Sequence, residues 1–264
     1  DVWLAAQEGV TVNIGKFTQR DNGNTYNHGL KGKGRFNIET FYQERYYVFD
    51  KMDDITYLRC GYFYSYEDRD VFLKNVRLDI GHNGLKVSSY SDGYRGYRIY
   101  FNVTIGATAS YSIFSDIPKY SRFVFYKENP RLTFDTENPD NGIGHIIRNN
   151  VMIHDDSESS GGMLIKKGKG VLVLSAGGST FGGGTIISNG VISAEATNCL
   201  GGGNVDVKEG AMLQVSAGVS LGNSVNLDSG ATLDITAAEP SSSIVGELSA
   251  AAGAKVNVCG VIDE

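Results

Sequence analysis

Gly170-Val171-Leu172-Val173-Leu174 is followed by Gly190-Val191-Ile192-Ser193-Ala194, by Gly210-Ala211-Met212-Leu213-Gln214-Val215 and by Gly230-Ala231-Thr232-Leu233-Asp234-Ile235. These glycines stand 20 residues apart, and Gly253-Ala254-Lys255-Val256-Asn257-Val258 brings the theme back 23 residues later. Midway through each period runs a second short segment: Thr185-Ile186-Ile187, Val205-Asp206-Val207, Val225-Asn226-Leu227 and Ile244-Val245-Gly246-Glu247-Leu248. Alternation at period two, rich in β-branched residues, is the signature of strands with one buried and one wet face. No window carries the i, i+3, i+4, i+7 apolar stripe of a helix. Twenty residues holding two or three short strands and glycine corners make one coil of a parallel β-helix, each coil stacking on the last at ~4.8 Å. An antiparallel sandwich also turns every 8–12 residues, but it does not demand the same corner residue at a fixed spacing. The expected fold class is all-β, a single parallel β-helix.

Upstream the signal is less regular. Val10-Thr11-Val12-Asn13-Ile14, Val76-Arg77-Leu78-Asp79-Ile80, Tyr97–Ile105 and Arg131-Leu132-Thr133-Phe134 all alternate, and Gly84-Leu85-Lys86-Val87 repeats glycine-then-strand. Polar, Tyr-rich stretches between them, such as Asp21–His28 and Cys60–Asp70, read as insertions out of a coil or as a cap over the first rung. An uncapped parallel stack exposes a strand edge, which leaves end-to-end self-association open. Residues 1–264 are thus expected to form one β-helix with an aromatic-rich, decorated N-terminal part: 1–70 a cap and irregular coils, 71–160 wide coils with insertions, 161–264 regular Gly-rich coils of about 20 residues.

Composition supports that division. Of the 264 residues 34 are Gly, far above the usual ~7%, and 20 of them follow residue 160. Phe181 is the sole aromatic beyond residue 160, and no Arg or His follows it. A net charge of −6 argues against nucleic acid, which wants clustered Lys and Arg. No apolar run approaches the ~20 residues of a membrane-spanning helix, so no helical span is expected. A chain opening at Asp1 reads as a mature or trimmed product.

At Leu164 the repeat takes on a familiar form. Leu164-x-Lys166-x-Gly168-x-Gly170-x-Leu172-x-Leu174, then Thr180-Phe181-x-Gly183-Gly184-Thr185 and Asn189-Gly190, resembles the autotransporter-associated β-strand repeat. Phe181 takes the place of that family's tyrosine, and Ala176 stands where a glycine is common. The match spans about residues 162–194, with weaker echoes to about 236. The resemblance implies a right-handed β-helix, secreted or displayed at the outer membrane of a Gram-negative bacterium. It implies a non-catalytic structural passenger or stalk, in some cases an adhesin meeting glycans or a host surface. It carries over no catalytic residue and no cofactor. No train of ~10-residue strands with aromatic girdles follows, so no membrane barrel is expected within these residues.

Chemistry elsewhere is sparse. Glu67-Asp68-Arg69-Asp70 and His154-Asp155-Asp156 hold the best catalytic candidates, Glu67, Asp70 and Asp155. Paired carboxylates serve glycoside hydrolysis, and carboxylates with Ca²⁺ and a basic residue serve polysaccharide lyases. Such an enzyme, or a carbohydrate-binding module, is the alternative reading, with its site in residues 55–160. The plain reading of these acids is solvated turn charge. Tyr62, Tyr64 and Tyr66 share one face if they lie on a strand, and with Tyr94 they are candidates for stacking on sugar rings. Their plain reading is packing within the cap. Cys60, Cys199 and Cys259 form no close-spaced metal pair, so no metal site is expected, and Cys199 and Cys259 lie about three coils apart, too far for a disulfide. All three are expected to be free, buried thiols, with a partner for Cys60 left open. Gly182–Gly184 and Gly201–Gly203 open no helix and carry no Gly-Lys-Ser/Thr ending, so they read as corners rather than phosphate loops. Lys166-Lys167-x-Lys169 reads as a solvated corner.

Overall fold

A computed structural model describes residues 2–19, 28–32, 34–43, 47–48, 57–65, 71–86, 95–115, 121–126, 129–157, 159, 161–237, 242–244 and 246–260. The chain is a right-handed β-solenoid, all-β and without a helix among these residues. Every pairing between its strands is parallel, and each joins one coil to the next.

Two columns of stacked positions make the frame. One runs Phe17, Phe41, Phe63, Leu85, Ile113, Asn149, Leu174, Ala194, Val215, Ile235, Val258. The other runs Val12, Phe36, Leu58, Leu78, Ile105, Phe134, Lys166, Ile187, Val207, Leu227, Ala250. Pairing passes without a break through residue 160, because Arg131–Asp135 pairs with Met163–Lys167 and Ile146–Asn149 with Val171–Leu174. In the short regular strands every second residue turns inward: Ile187, Val207 and Leu227 are buried while Ile186, Asp206 and Asn226 are half-exposed.

Two expectations need correction here. Cys60–Ser65 is not an insertion out of a coil. It lies in strand Tyr57–Ser65, in register with strand Arg35–Gln43, because the tyrosines do not interrupt the pairing. Cys259 is not a buried thiol either. It sits exposed on the last described rung, whereas Cys199 is buried and both are free. Cys60 is placed only as a strand position.

The aromatic residues fill the wider coils. Phe123 packs against Tyr97 at 5.7 Å and Phe134 at 6.0 Å between ring centroids. Phe125 meets Phe181 edge-on at 5.8 Å, so the last aromatic of the chain closes the aromatic core where the coils narrow. Later in the chain Leu200 and Leu221 are both fully buried.

Corner glycines differ in what they accommodate. A Cβ on Gly170 would fall 1.9 Å from the carbonyl oxygen of His145 one coil away, so the stack cannot close over a side chain there. Gly202 has open space around its would-be Cβ. Gly170→Ala should therefore lower stability by about 2 kcal/mol or more. Gly202→Ala should stay within about 0.5 kcal/mol of the parent. Thermal unfolding of the two variants side by side checks this, and equal losses would contradict the stacking at Gly170.

Candidate functional site

Outward from the second column lies a polar file that the sequence reading did not identify. Asn13, Asn37, Arg59, Asp79, Gly106, Asp135 and Lys167 are successive register partners on adjacent coils. Beside them run Tyr57, Arg77 and Thr104. Parallel stacking brings these residues together, and the side chains of Asn13 and Asn37, and of Tyr57, Arg59, Arg77, Asp79 and Asp135, bond to one another.

Asp79 is the centre, fully buried. Its Oδ1 accepts from Arg77 Nε at 2.9 Å and its Oδ2 from the Tyr57 hydroxyl at 2.7 Å. Gly106 on the next coil makes the room: a Cβ there would lie 1.9 Å from Asp79 Oδ1 and 2.9 Å from Arg77 Nη2. Across that gap, Arg77 Nη1 reaches Asp135 Oδ2 at 2.8 Å, two coils on. Asp135 Oδ1 in turn accepts the Glu137 amide at 3.2 Å, and Glu137 pairs with Lys169 Nζ at 3.5 Å.

On the other side, Arg59 donates to the Tyr57 hydroxyl at 3.1 Å and to Asp140 at 2.7 Å. Asp140 belongs to a turn closed by the antiparallel bridge between Glu137 and Gly144 and tied to the coils by Asn138 Nδ2 donating to the Thr108 carbonyl. The Arg35 guanidinium lies 5.3 Å over the Tyr57 ring. Asn37 Nδ2 donates to Asn13 Oδ1 at 2.9 Å, and around these amides, Gly15, Glu39 and Arg59 the surface forms a hollow of about 430 Å³.

Burial and the acceptor Asp79 together push the Tyr57 phenol up to about 12. Asp140 is held below the usual carboxylate range by its bond to Arg59. Chemically the file is a brace: Arg59 and Arg77 bond to Asp140, Asp79 and Asp135, while the buried Arg59 Nε finds no partner among the described residues. Nothing in the sequence reading flagged it, since its members are spaced irregularly, by 20 to 32 residues, and only the register aligns them.

The candidates named from sequence are placed unevenly. Glu67, Asp70, Tyr66 and Tyr94 lie outside the described residues. Tyr62 and Tyr64 sit two apart in strand Tyr57–Ser65, in register with Thr40 and Tyr42. Asp155 ends strand Met152–Asp155, and its carboxylate is spent on two backbone amides and a hydroxyl: Oδ1 accepts from the Gly162 amide at 3.1 Å and the Ser159 hydroxyl at 3.3 Å, Oδ2 from the Gly182 amide at 2.9 Å. It ties its own coil to the glycine corner of the next. Neighbouring Asp156 pairs with Arg98 at 2.8 Å. His154 donates or accepts at Thr180 Oγ1, 2.7 Å away, and burial beside Arg122 pulls its pKa down. Among the described residues no three His, Cys, Asp or Glu side chains gather into a metal-binding group, and no helix is long and apolar enough to cross a membrane.

The motif residues around Leu164 each have a physical task. Leu164, Leu172, Leu174 and Phe181 are buried in the core, and the buried Thr185 donates to the Leu200 carbonyl at 3.4 Å. Gly183 and Gly184 fit beneath backbone oxygens of neighbouring coils, those of Gly161 and Asn204. Lys166 corrects the expectation of a solvated corner. It is fully buried in the second column between Phe134 and Ile187, and only Lys167 and Lys169 are exposed. Its Nζ donates to the carbonyls of Lys167, Gly168 and Asn189 at 2.8, 2.7 and 2.9 Å. Burial pulls the Lys166 ammonium down to about 7, against the opposing pull of Asp135 and Glu137.

No family model, no curated protein and no solved structure matches the chain. The class is therefore defined by the fold and the braced face: a parallel β-solenoid whose coils are laced together by buried and half-buried polar groups.

Tyr57 supplies one test of this lacing. Its raised pKa means that the folded chain holds the phenolic proton where the unfolded chain, near 10, has lost it. That stabilising contribution is complete below about pH 10 and is lost as pH climbs toward 12. In Tyr57→Phe the stability decline over this alkaline window should be shallower than in the parent, as followed by chemical denaturation at stepped pH. A second test is Asp155→Ala, which strips acceptors from two backbone amides and should cost about 2 kcal/mol by the same measurement.

Proposed function

We propose that this chain is a non-catalytic structural segment, a passenger or stalk of a secreted or surface-exposed bacterial protein. The observation that carries the reading is the unbroken parallel register from Phe17 to Val258, cross-braced on its outer face by Asp79, Arg77 and Asp135. A rod that must resist shear gains from bonds that span coils, and here one arginine links two strands two coils apart. Arg77 is closed on Asp79 and Asp135, and the Asp155 carboxylate is taken up by backbone amides. The resemblance of residues 162–194 to the autotransporter-associated repeat supports the same role and suggests display on a Gram-negative surface.

The first test pulls the chain by its ends in an optical trap and screens it for turnover of acidic polysaccharides. A stalk should unfold in steps of one or a few coils at elevated force and release no sugar ends. Release of unsaturated or reducing ends would replace this reading with the lyase or hydrolase one.

Carbohydrate binding is the second reading, and it has its own observation. The hollow over Asn13, Asn37, Glu39 and Arg59 offers amide, carboxylate and guanidinium groups at coil spacing, a chemistry suited to sugar hydroxyls. A glycan array probed with the parent and with Asn37→Ala decides it. Hits on the parent that vanish in a variant of unchanged melting temperature would establish a glycan site there, and a blank array for the parent would eliminate it.

A further inference from the structure

Lys166 occupies a place that the stack reserves for hydrophobic side chains. Its column neighbours are Phe134 and Ile187, and its side chain is fully buried. The ammonium does not reach solvent, and among the described residues no carboxylate pairs with it. It ends among three main-chain oxygens, those of Lys167 and Gly168 on its own corner and that of Asn189 on the next coil, all within 2.7–2.9 Å. The corner is shaped around it. Gly190 takes φ +68, and a Cβ there would lie 2.8 Å from Nζ and 2.4 Å from the oxygens of Gly168 and Gly170. A glycine at this point lets the second corner close on the first.

Three convergent carbonyl oxygens at this spacing are a ligand set for a monovalent cation, the same chemistry by which rings of backbone carbonyls replace the hydration shell of potassium. We propose that the corner formed by residues 166–170 and 188–190 is a monovalent-cation site of the ammonium and potassium class, which the chain fills with its own Lys166 side chain and thereby locks one coil to the next. An ammonium has three N–H groups for three acceptors, so the match of number and direction is complete. The tethered cation needs no ion from solution, and a coil laid down beneath Lys166 is fastened as soon as Asn189 and Gly190 arrive. The inference is independent of whether the rod is a stalk or binds glycans.

The test compares the full chain with Lys166→Ala and Lys166→Met at pH 6. Thermal unfolding is run in potassium, ammonium and methylammonium chloride, with lithium and N-methylglucamine chloride as references of equal ionic strength. Both variants should melt lower than the parent by on the order of 10 °C. Lys166→Ala should recover a saturable part of that loss in ammonium, methylammonium or potassium and not in the references. Lys166→Met, whose thioether stem fills the space, should recover nothing. Identical responses of Lys166→Ala to all five salts, or a Lys166→Met as stable as the parent, would overturn the proposal. Should Lys166→Ala not fold, ¹⁵N spectra of the lysine side chains in the parent decide. A slowly exchanging ammonium at pH 6, absent in Lys166→Met, supports the cage, whereas exchange as fast as that of Lys167 and Lys169 refutes it.

Discussion

In a parallel stack every side chain is sandwiched between two others about 4.8 Å away, so what one coil carries limits what the next can accept. The rest of this structure depends on that spacing. Apolar residues stacked on apolar residues yield a dry column with no special arrangement. A polar residue inside the stack must find partners within its own or an adjacent coil, since water cannot reach it, and an orphaned buried group costs about 1–3 kcal/mol.

Asp79 and Lys166 show two solutions to the same problem. Asp79, on the outward file, is sealed by Arg77 and Tyr57, and glycine on the next coil leaves the gap into which they fit. Lys166, on the inward column, turns to the corner and takes backbone carbonyls as partners, again over a glycine on the next coil. In both cases the glycine is placed one coil away from the charge it accommodates. The charge and its glycine form one unit split across coils, and Asp155 with the amides of Gly162 and Gly182 repeats the pattern. Polar groups thereby add register information that uniform Leu and Val columns lack, because a slip by one residue would leave each of them unpartnered.

The legible part of the sequence was the part with a fixed period. Gly170, Gly190, Gly210 and Gly230 recur every 20 residues, and the alternating runs after them are the strands Val171–Leu174, Val191–Ala194, Met212–Val215 and Thr232–Ala237. Where coil lengths vary the reading faltered. The steps from Asn37 to Arg59, Asp79 and Gly106 are unequal, so the charged file stayed hidden and the tyrosines of Cys60–Ser65 passed for an insertion. The motif lysine was visible as a residue type, but charge alone suggested solvent, and nothing local tells an inward from an outward lysine at a corner.

By itself the sequence determined the element type, the parallel stacking and the inward face of each regular strand, because these follow from short-range periodicity and from corner glycines at constant spacing. Only the tertiary structure decided which distant residues meet. Asp79 lies 56 residues before Asp135 in the chain yet shares an arginine with it, and Lys166 completes its coordination with a carbonyl 23 residues on. Such partnerships are set by the accumulated lengths of the intervening coils. That sum is fixed when the solenoid winds, and no local window of sequence contains it.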